Sequence, residues 1–273
     1  MARAFQYLSP FIYPLFPREA GRLMLSCSIK NALQFRSRPD FTGQISVCFR
    51  KYVNGGEAGE ERVDVAVDRH VPEINEFSKT FSADGYGYVE VEMTADRPLF
   101  DKTVVVQGYG LFLRPGCGAL TFGSDLKFAR DPIIKEIAVF GGFSLLHQAV
   151  LVDAGKGIGN SFFLVNPYRQ PVVCTLESDL GRRLRVKVKP HEACVQPLDS
   201  LVDDGKPASV MLTANNKVTV FDMRHVHGKP AALTNLDHLD FMNGWLTHRR
   251  DGLQKTARYY VRRALRNLGI SFA

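Results

Sequence analysis

Alternation of apolar and polar residues is the main pattern of this chain. The segments Arg62–Val67 and Arg183–Val188 both place an apolar side chain at every second position, which is the period of a half-buried β-strand. Residues 89–93 alternate in the same way, whereas 104–106 and 218–221 are continuously apolar or β-branched and predict more deeply buried strands. Such segments recur about every ten residues with no helical pattern between them, and a parallel sheet would need crossover helices. We therefore expect an antiparallel all-β fold.

The two halves of the chain resemble each other in the same order along the sequence. The matched segments lie in apolar stretches, and the length differences fall in polar, glycine-rich turns, as a true duplication should show. Short alternating β sequences can also resemble each other by chance. The matches are Val47-Cys48 with Val173-Cys174, Arg62–Val67 with Arg183–Val188, Met93–Asp96 with Leu212–Asn215, and Ala119–Thr121 with Ala232–Thr234. We predict an internal duplication.

The second copy resembles bacterial immunoglobulin-like β-sandwich repeats. The resemblance rests on the Asn166-Pro167 opening, a strand, a proline-containing turn, an Asp-Gly loop and the segment Val210–Ala214. It implies a β-sandwich for each copy. It also implies modules that bind, space or assemble rather than catalyse.

These patterns predict two related antiparallel β-sandwich domains in tandem, followed by a C-terminal amphipathic basic α-helix. The expected boundaries are an extended aromatic and proline-rich segment at 1–18, sandwich copy one at 19–130, copy two at 131–243 and the helix at 244–273. Prolines in the first segment exclude a regular helix there.

Charge is concentrated in the C-terminal tail. The whole chain carries a net charge of +7, and residues 244–273 supply seven of its basic residues and one acid. The remainder of the chain is therefore almost neutral. Apolar residues at 253, 257, 261, 264 and 268 form one stripe of a helix, with a basic stripe beside it. The basic residues expected to contact an anion or a partner are Arg249, Arg250, Lys255, Arg258, Arg262, Arg263 and Arg266.

What the tail contacts is left open by the sequence. The apolar stripe favours packing on the body or on a second copy of the chain, which predicts a homo-oligomer or a protein partner. Arginines beside apolar residues also suit an anionic membrane surface. A polysaccharide or a nucleic acid is a further alternative, because arginines contact phosphates.

Composition bears on the cellular location of the protein and on the state of its cysteines. No apolar run is long enough for a membrane-spanning helix, and prolines interrupt the N-terminal apolar residues where a signal peptide would need continuity. Five cysteines, widely spaced and without a Cys-x-x-Cys pair, favour reduced buried thiols. We expect a cytoplasmic protein, peripheral to a membrane at most, without a cofactor.

One cluster resembles a metal or catalytic site. His225 and His227 would point to the same face of a regular strand, as paired metal ligands require, and His238 and Asp240 follow. The cluster has no counterpart in copy one and lacks the further glutamate and second histidine motif of a cupin-like barrel. Exposed histidines at a strand end are the alternative.

The sequence therefore favours a non-enzymatic binding, scaffolding or assembly protein with no catalytic residues. The enzymatic alternative is a metal-dependent or carbohydrate-active β protein that uses His225, His227, His238 and Asp240. A second alternative is a nucleic-acid-binding protein that acts through the basic tail.

Overall fold

The computed structural model is all-β in every part of the chain that it describes. The described residues are 5–6, 11–19, 21–28, 42–68, 76–95, 107–114, 118–123, 145–146, 149–153, 157–203, 205–215 and 218–239. The first half contributes β1 (Phe5–Gln6), β2 (Phe11–Leu15), β3 (Arg22–Ser28), β4 (Thr42–Val53), β5 (Gly56–Asp68), β6 (Glu76–Phe81), β7 (Gly87–Ala95), β8 (Gln107–Arg114) and β9 (Gly118–Gly123).

The second half contributes as many strands. They are β10 (Leu145–Leu146), β11 (Val150–Val152), β12 (Ile158–Val165), β13 (Val172–Ser178), β14 (Arg183–Val188), β15 (Ala193–Pro197), β16 (Ala208–Ala214), β17 (Thr219–Val226) and β18 (Lys229–His238). A single turn of 3₁₀-helix, Asp199–Leu201, lies between β15 and β16.

The strands form four antiparallel sheets. Sheet 1 has the order β1-β7-β4-β5, with β2 also paired to β7, and sheet 2 has the order β6-β3-β8-β9. Sheet 3 has the order β10-β16-β13-β14, with β11 also paired to β16, and sheet 4 has the order β15-β12-β17-β18. The two sheets of each half are interleaved along the chain.

The prediction of two tandem β-sandwiches with a C-terminal helix is wrong. The four small sheets are arranged in the manner of a four-bladed β-propeller, and the described residues contain no α-helix. The amphipathic helix was predicted for 244–273, which lies outside the described residues. No described helix is long or apolar enough to cross a membrane.

Sheet 4 shows why separate sandwiches do not describe this fold. Phe162 and Leu164 of β12 enter one apolar cluster, together with residues of sheet 3. Phe163 and Val165, on the other face of the same strand, enter a second cluster with residues of sheets 1 and 2. Because sheet 4 is buried on both faces, the two halves share a core, as neighbouring blades do.

A β-sandwich duplication is therefore wrong as well, but the pairing order of the strands repeats. The partner of each strand in β1–β9 has its equivalent nine strands later. The register repeats too: Phe5 pairs with Ala95, and Leu145 pairs with Ala214. Among the sequence matches, Val47 is out of step, because its partner Met93 corresponds to Leu212, which pairs with Leu176 and not with Val173.

The N-terminal aromatic segment is part of the core. β2 pairs with β7, and Tyr13 and Leu15 are almost completely buried. Phe16 lies 5.0 Å from Phe163 between ring centroids, so the segment joins the first half to sheet 4. Burial of such large side chains stabilises each by roughly 1.5–3 kcal/mol.

Candidate functional site

A row of basic side chains runs along one edge of sheet 3. Arg183, Arg185 and Lys187 alternate on β14 with the more buried Leu184, Val186 and Val188, and all three basic residues are exposed. Alternate residues of a strand lie about 6.6 Å apart on the same face. We call these three residues the basic ladder.

The ladder lies on an edge that the described chain leaves open. β14 pairs with β13, and no other described strand pairs with it. Charged side chains on an edge commonly prevent uncontrolled pairing between molecules, and this is the structural role that the ladder could have without any ligand. That role does not require charges of one sign.

The corresponding strand of the first half has a different charge pattern. The repeated register places Arg62, Asp64 and Ala66 of β5 at the positions of Arg183, Arg185 and Lys187. The fold therefore does not need three cations at these positions. The row of positive charge belongs to the second half alone.

Charges on sheet 1 are compensated, in contrast to the ladder. Arg50 contacts Glu60 at 2.8 Å and Glu92 at 2.7 Å, and Arg62 contacts Glu60 at 2.9 Å. Hydrogen bonds from Arg50 and Arg62 lower the pKa of Glu60. By comparison, no described carboxylate forms an ion pair with any residue of the ladder. The ladder can therefore meet an external anion without breaking an internal pair.

His225 is buried and engaged at both ring nitrogens. Its Nε2 lies 3.0 Å from Ser161 Oγ, and its Nδ1 lies 3.0 Å from the carbonyl oxygen of Val226. A carbonyl can only accept, so Nδ1 of the neutral ring carries the proton and Nε2 accepts from the serine hydroxyl. A metal could bind this ring only after one of these hydrogen bonds had been broken.

His227 is placed differently. It is exposed, and its Nδ1 lies 3.8 Å from Asp199 Oδ2. The register of β17 against β18 shifts on both sides of His225, so the regular alternation that would align the two histidines is interrupted. The side chain of His238 and all of Asp240 lie outside the described residues. No group of three metal-binding side chains occurs in the described part of the chain, and the metal or enzymatic alternative stays a prediction.

The Ser161–His225 pair replaces apolar residues of the first half. In the first half, Phe112 of β8 pairs with Leu23 of β3 and with Leu120 of β9. In the second half, His225 of β17 pairs with Gly159 of β12 and with Leu233 of β18. The repeat therefore equates Phe112 with His225, Leu23 with Gly159 and Leu25 with Ser161. A Cβ on Gly159 would lie 2.6 Å from His225 Nδ1, so the glycine makes room for the ring. His225 is 4% exposed and Ser161 is fully buried, so their hydrogen bond lies within the packed sheet.

Asp222 lies on β17, three residues before His225. Burial raises the pKa of its carboxyl group, while Arg224, 3.3 Å from Oδ2, works in the opposite direction. A raised pKa in a cleft would point to chemistry, but Asp222 is 93% buried within sheet 4. Its shift reflects desolvation by the fold.

Three aromatic rings connect the halves at a second place. The ring of Tyr52 lies 4.8 Å from that of Tyr88 and 4.9 Å from that of His191, and both pairs are stacked. Tyr88 Oη also lies 3.3 Å from His191 Nδ1. The backbone of His191 has a φ of 54°, in the left-handed region that non-glycine residues rarely adopt. The stack and the hydrogen bond hold the turn that carries His191.

The basic residues predicted as contacts in the tail, from Arg249 to Arg266, lie outside the described residues. The sequence analysis did not single out the ladder, although the alternation of Arg183–Val188 was recognised as a strand. The signal was present: three cations at every second position with no acid between them. The sequence does not show that β14 lies at the edge of a sheet, because this depends on which strands pair. The edge position makes the row of three cations a candidate binding surface.

Comparisons with known proteins add no identification. No family model, no curated protein and no solved structure matches this chain. The resemblance to bacterial immunoglobulin-like repeats and the cytoplasmic location stay predictions. Any assignment of function must come from the geometry of the chain itself.

Proposed function

We propose that this is a non-enzymatic binding protein that holds a polyanion, namely the phosphate backbone of a nucleic acid, along the basic ladder. The observation that carries the proposal is three exposed cations in a straight row, none of which forms an ion pair with a described acid, although Glu177 lies opposite Arg183 on β13. The ladder presents one cation about every 6.6 Å, and such regularly spaced charges suit the regularly spaced phosphates of a nucleic-acid strand. A straight row of charge suits a linear ligand better than a single small anion.

The neighbouring surface supports backbone contact without recognition of bases. The outward residues beside the ladder on β13 are Val173, Thr175 and Glu177, and those on β16 are Ser209, Met211 and Thr213. None of these described residues is aromatic, so the surface offers no ring on which a base could stack. We expect binding that depends strongly on salt and weakly on sequence.

The basic tail strengthens the proposal from the sequence alone. Residues 244–273 carry a net charge of +6, and any anionic ligand on the ladder would also be attracted by these residues. Truncation after Asn243 therefore has to be combined with the ladder variants, so that the two contributions are separated.

The test is fluorescence anisotropy with labelled single-stranded and double-stranded DNA over a range of salt concentrations. The variant R185Q/K187Q should weaken binding and lower the slope of log affinity against log salt by about 1.4 for single strands and about 1.8 for duplex. The matched control K206Q/K229Q removes the same charge from two other exposed positions and should change the slope much less.

Two results would contradict the proposal. One is wild-type protein that fails to bind DNA at low salt. The other is an equal loss of affinity in R185Q/K187Q and K206Q/K229Q, which would mean that net charge alone matters. If truncation after Asn243 abolished binding and the ladder variants did not change it, the tail and not the ladder would be the site.

A further inference from the structure

A separate cleft opens where β3 begins and β6 ends. Its volume is about 540 Å³, within the range of small-molecule sites. The described residues that line it are Arg18, Arg22, Thr80, Phe81 and Ser82. The cleft is in the first half of the chain, on sheet 2, and none of its residues belongs to the ladder.

The pairing of β3 with β6 brings these side chains together. Leu23 pairs with Phe81 and Met24 pairs with Thr80, so the next step of the same register brings Arg22 beside Ser82. Thr80 and Ser82 are two residues apart, and their side chains therefore lie on the same side of the strand.

Arg18 enters the cleft from a turn. An isolated β-bridge joins Pro17, which precedes Arg18, to Ala83, which follows β6. The amide of Gly21 donates to the carbonyl oxygen of Pro17 at 3.2 Å. The turn between them therefore carries Arg18 past the end of β6. Four polar side chains from two distant segments converge at one opening.

The electrostatic balance of the cleft is positive. Arg18 Nε contacts Asp84 Oδ1 at 2.8 Å, a surface pair that orients the guanidinium group but contributes little to stability. Arg22 is exposed and forms no ion pair with another described residue. Two guanidinium groups face one carboxylate, and two hydroxyl groups add further donors.

The fold does not require this arrangement. The repeat equates Leu23 with Gly159 and therefore places Ile158 of the second half at the position of Arg22. Ile158 is 39% exposed, so an apolar residue is tolerated at the same place in the same architecture. A cation that the fold does not need is a candidate for a ligand contact.

We propose that this cleft binds the phosphate group of a small phosphate monoester. The guanidinium groups of Arg22 and Arg18 donate to the phosphate oxygens, in the planar geometry that suits phosphate. The hydroxyl groups of Thr80 and Ser82 complete the shell. A phosphate monoester carries a charge of about −1.5 to −2 at pH 7 and a sulfate ester carries one negative charge, so two guanidinium groups favour the phosphate.

The size of the cleft bears on the remainder of the ligand. Its volume of about 540 Å³ exceeds what a single inorganic phosphate fills. An organic group esterified to the phosphate therefore fits better than the free ion. Phe81 alternates with Thr80 and Ser82 along the chain, and its ring packs towards the core, 5.4 Å from that of Phe49.

The test is isothermal titration calorimetry of the full chain with phenyl phosphate, inorganic phosphate and phenyl sulfate at constant ionic strength. Phenyl phosphate should bind more tightly than either of the other two. R22Q should weaken phenyl phosphate binding about tenfold or more, because a charge-assisted hydrogen bond is lost. T80A/S82A should weaken it several-fold, because two hydroxyl donors are lost.

R169Q is the matched control, because Arg169 is an exposed arginine of the second half that belongs neither to the cleft nor to the ladder. It should leave phenyl phosphate affinity within about twofold of the wild type, and circular dichroism melts should show that all variants are folded. The proposal is overturned if phenyl phosphate fails to bind at millimolar concentration. It is equally overturned if R22Q and R169Q lose the same affinity, or if phenyl sulfate binds as well as phenyl phosphate. These outcomes do not depend on DNA binding by the ladder.

Discussion

Substitution of Gly159 by alanine tests the environment of His225 directly. A Cβ at this position would lie 2.6 Å from His225 Nδ1 and 3.0 Å from Nε2, and closer still to Cε1. Real Cβ atoms essentially never approach other heavy atoms below 3.0 Å, so either the ring or the backbone must move. The backbone of Gly159 is paired with His225 itself, which makes a local shift difficult.

Both ways of relieving the clash cost stability. If the ring rotates, it gives up the hydrogen bonds to Ser161 and Val226, and a buried hydroxyl left unsatisfied costs about 1–3 kcal/mol. If the ring stays, the strands must separate, and overpacking of this kind typically costs about 1–3 kcal/mol. Because the protein takes the less costly of these two routes, we expect Gly159→Ala to lower the free energy of unfolding by about 1–3 kcal/mol.

Urea denaturation of four proteins measures this effect and its cause. They are the wild type, G159A, H225A and the double variant. H225A alone should also be destabilising, because it opens a cavity and leaves Ser161 without its partner. In the double variant the clash is gone, so its loss should be about 1–3 kcal/mol smaller than the sum of the single losses.

Gly56→Ala is the matched control. Gly56 is exposed, and a Cβ there would meet only the carbonyl oxygen of Val53 at an ordinary 3.8 Å. It should change stability by no more than about 0.5 kcal/mol. The reasoning fails if G159A is as stable as the G56A control, or if G159A and H225A are additive within about 0.5 kcal/mol.

Three further predictions concern other buried groups. Burial raises the pKa of Cys174 to about 12 and that of Cys194 to about 11, so iodoacetamide at pH 8 should label both slowly in the folded protein and quickly in guanidinium, as mass spectrometry can show. The backbone of His191 has a positive φ, which glycine adopts more easily than alanine. H191G and H191A both lose the stack on Tyr52, and H191G should be about 0.5–1 kcal/mol more stable than H191A. Equal stability of the two variants in thermal melts would contradict this. Because the pKa of Asp222 is raised, the folded state binds its proton more tightly than the unfolded state, and this contribution to stability is lost as pH rises through the folded pKa. Asp222→Asn should therefore increase stability at pH 7 more than at pH 4, and the opposite order in denaturation curves would refute it.

Local structure could be predicted from the sequence to a considerable extent. The segment Arg183–Val188 alternates in the sequence and alternates in burial on β14, because one face of its sheet packs on a core. The repeated segments also fall on equivalent strands, although the Val47 match is out of register. Period-2 patterns depend on neighbours along the chain and can be read locally.

The arrangement of the sheets could not be predicted by the same reasoning. Half-buried alternation is expected for any sheet with one covered face, whether in a sandwich or a propeller. The apolar run Phe162–Val165 was the informative exception, since a strand that is apolar at every position is buried on both faces. The period-2 segments on which the sequence prediction rests do not include this run, and they give no sign of a sheet that the two halves share.

The candidate sites depend on residues far apart in sequence. The sequence offered His225 and His227 as a pair of ligands only as an alternative, and in the structure His225 is hydrogen-bonded to Ser161. Arg22 meets Thr80 and Ser82 only because β3 pairs with β6. A local reading recognises the residue types and cannot supply these partners.

The interleaving of the sheets has a consequence for the synthesis of this chain. β3 pairs with β8, whose residues leave the ribosome about 90 residues after Arg22, and β12 likewise waits for β17. Until then, β3 can pair only with β6 and β12 only with β15, and the other edge of each strand is unpaired. Folding dominated by such distant contacts is slow, and exposed strand edges invite aggregation meanwhile. Synthesis stalled before residue 238 should thus leave sheet 4, and with it the shared core, incomplete. Nascent chains of that length would be the most dependent on chaperones.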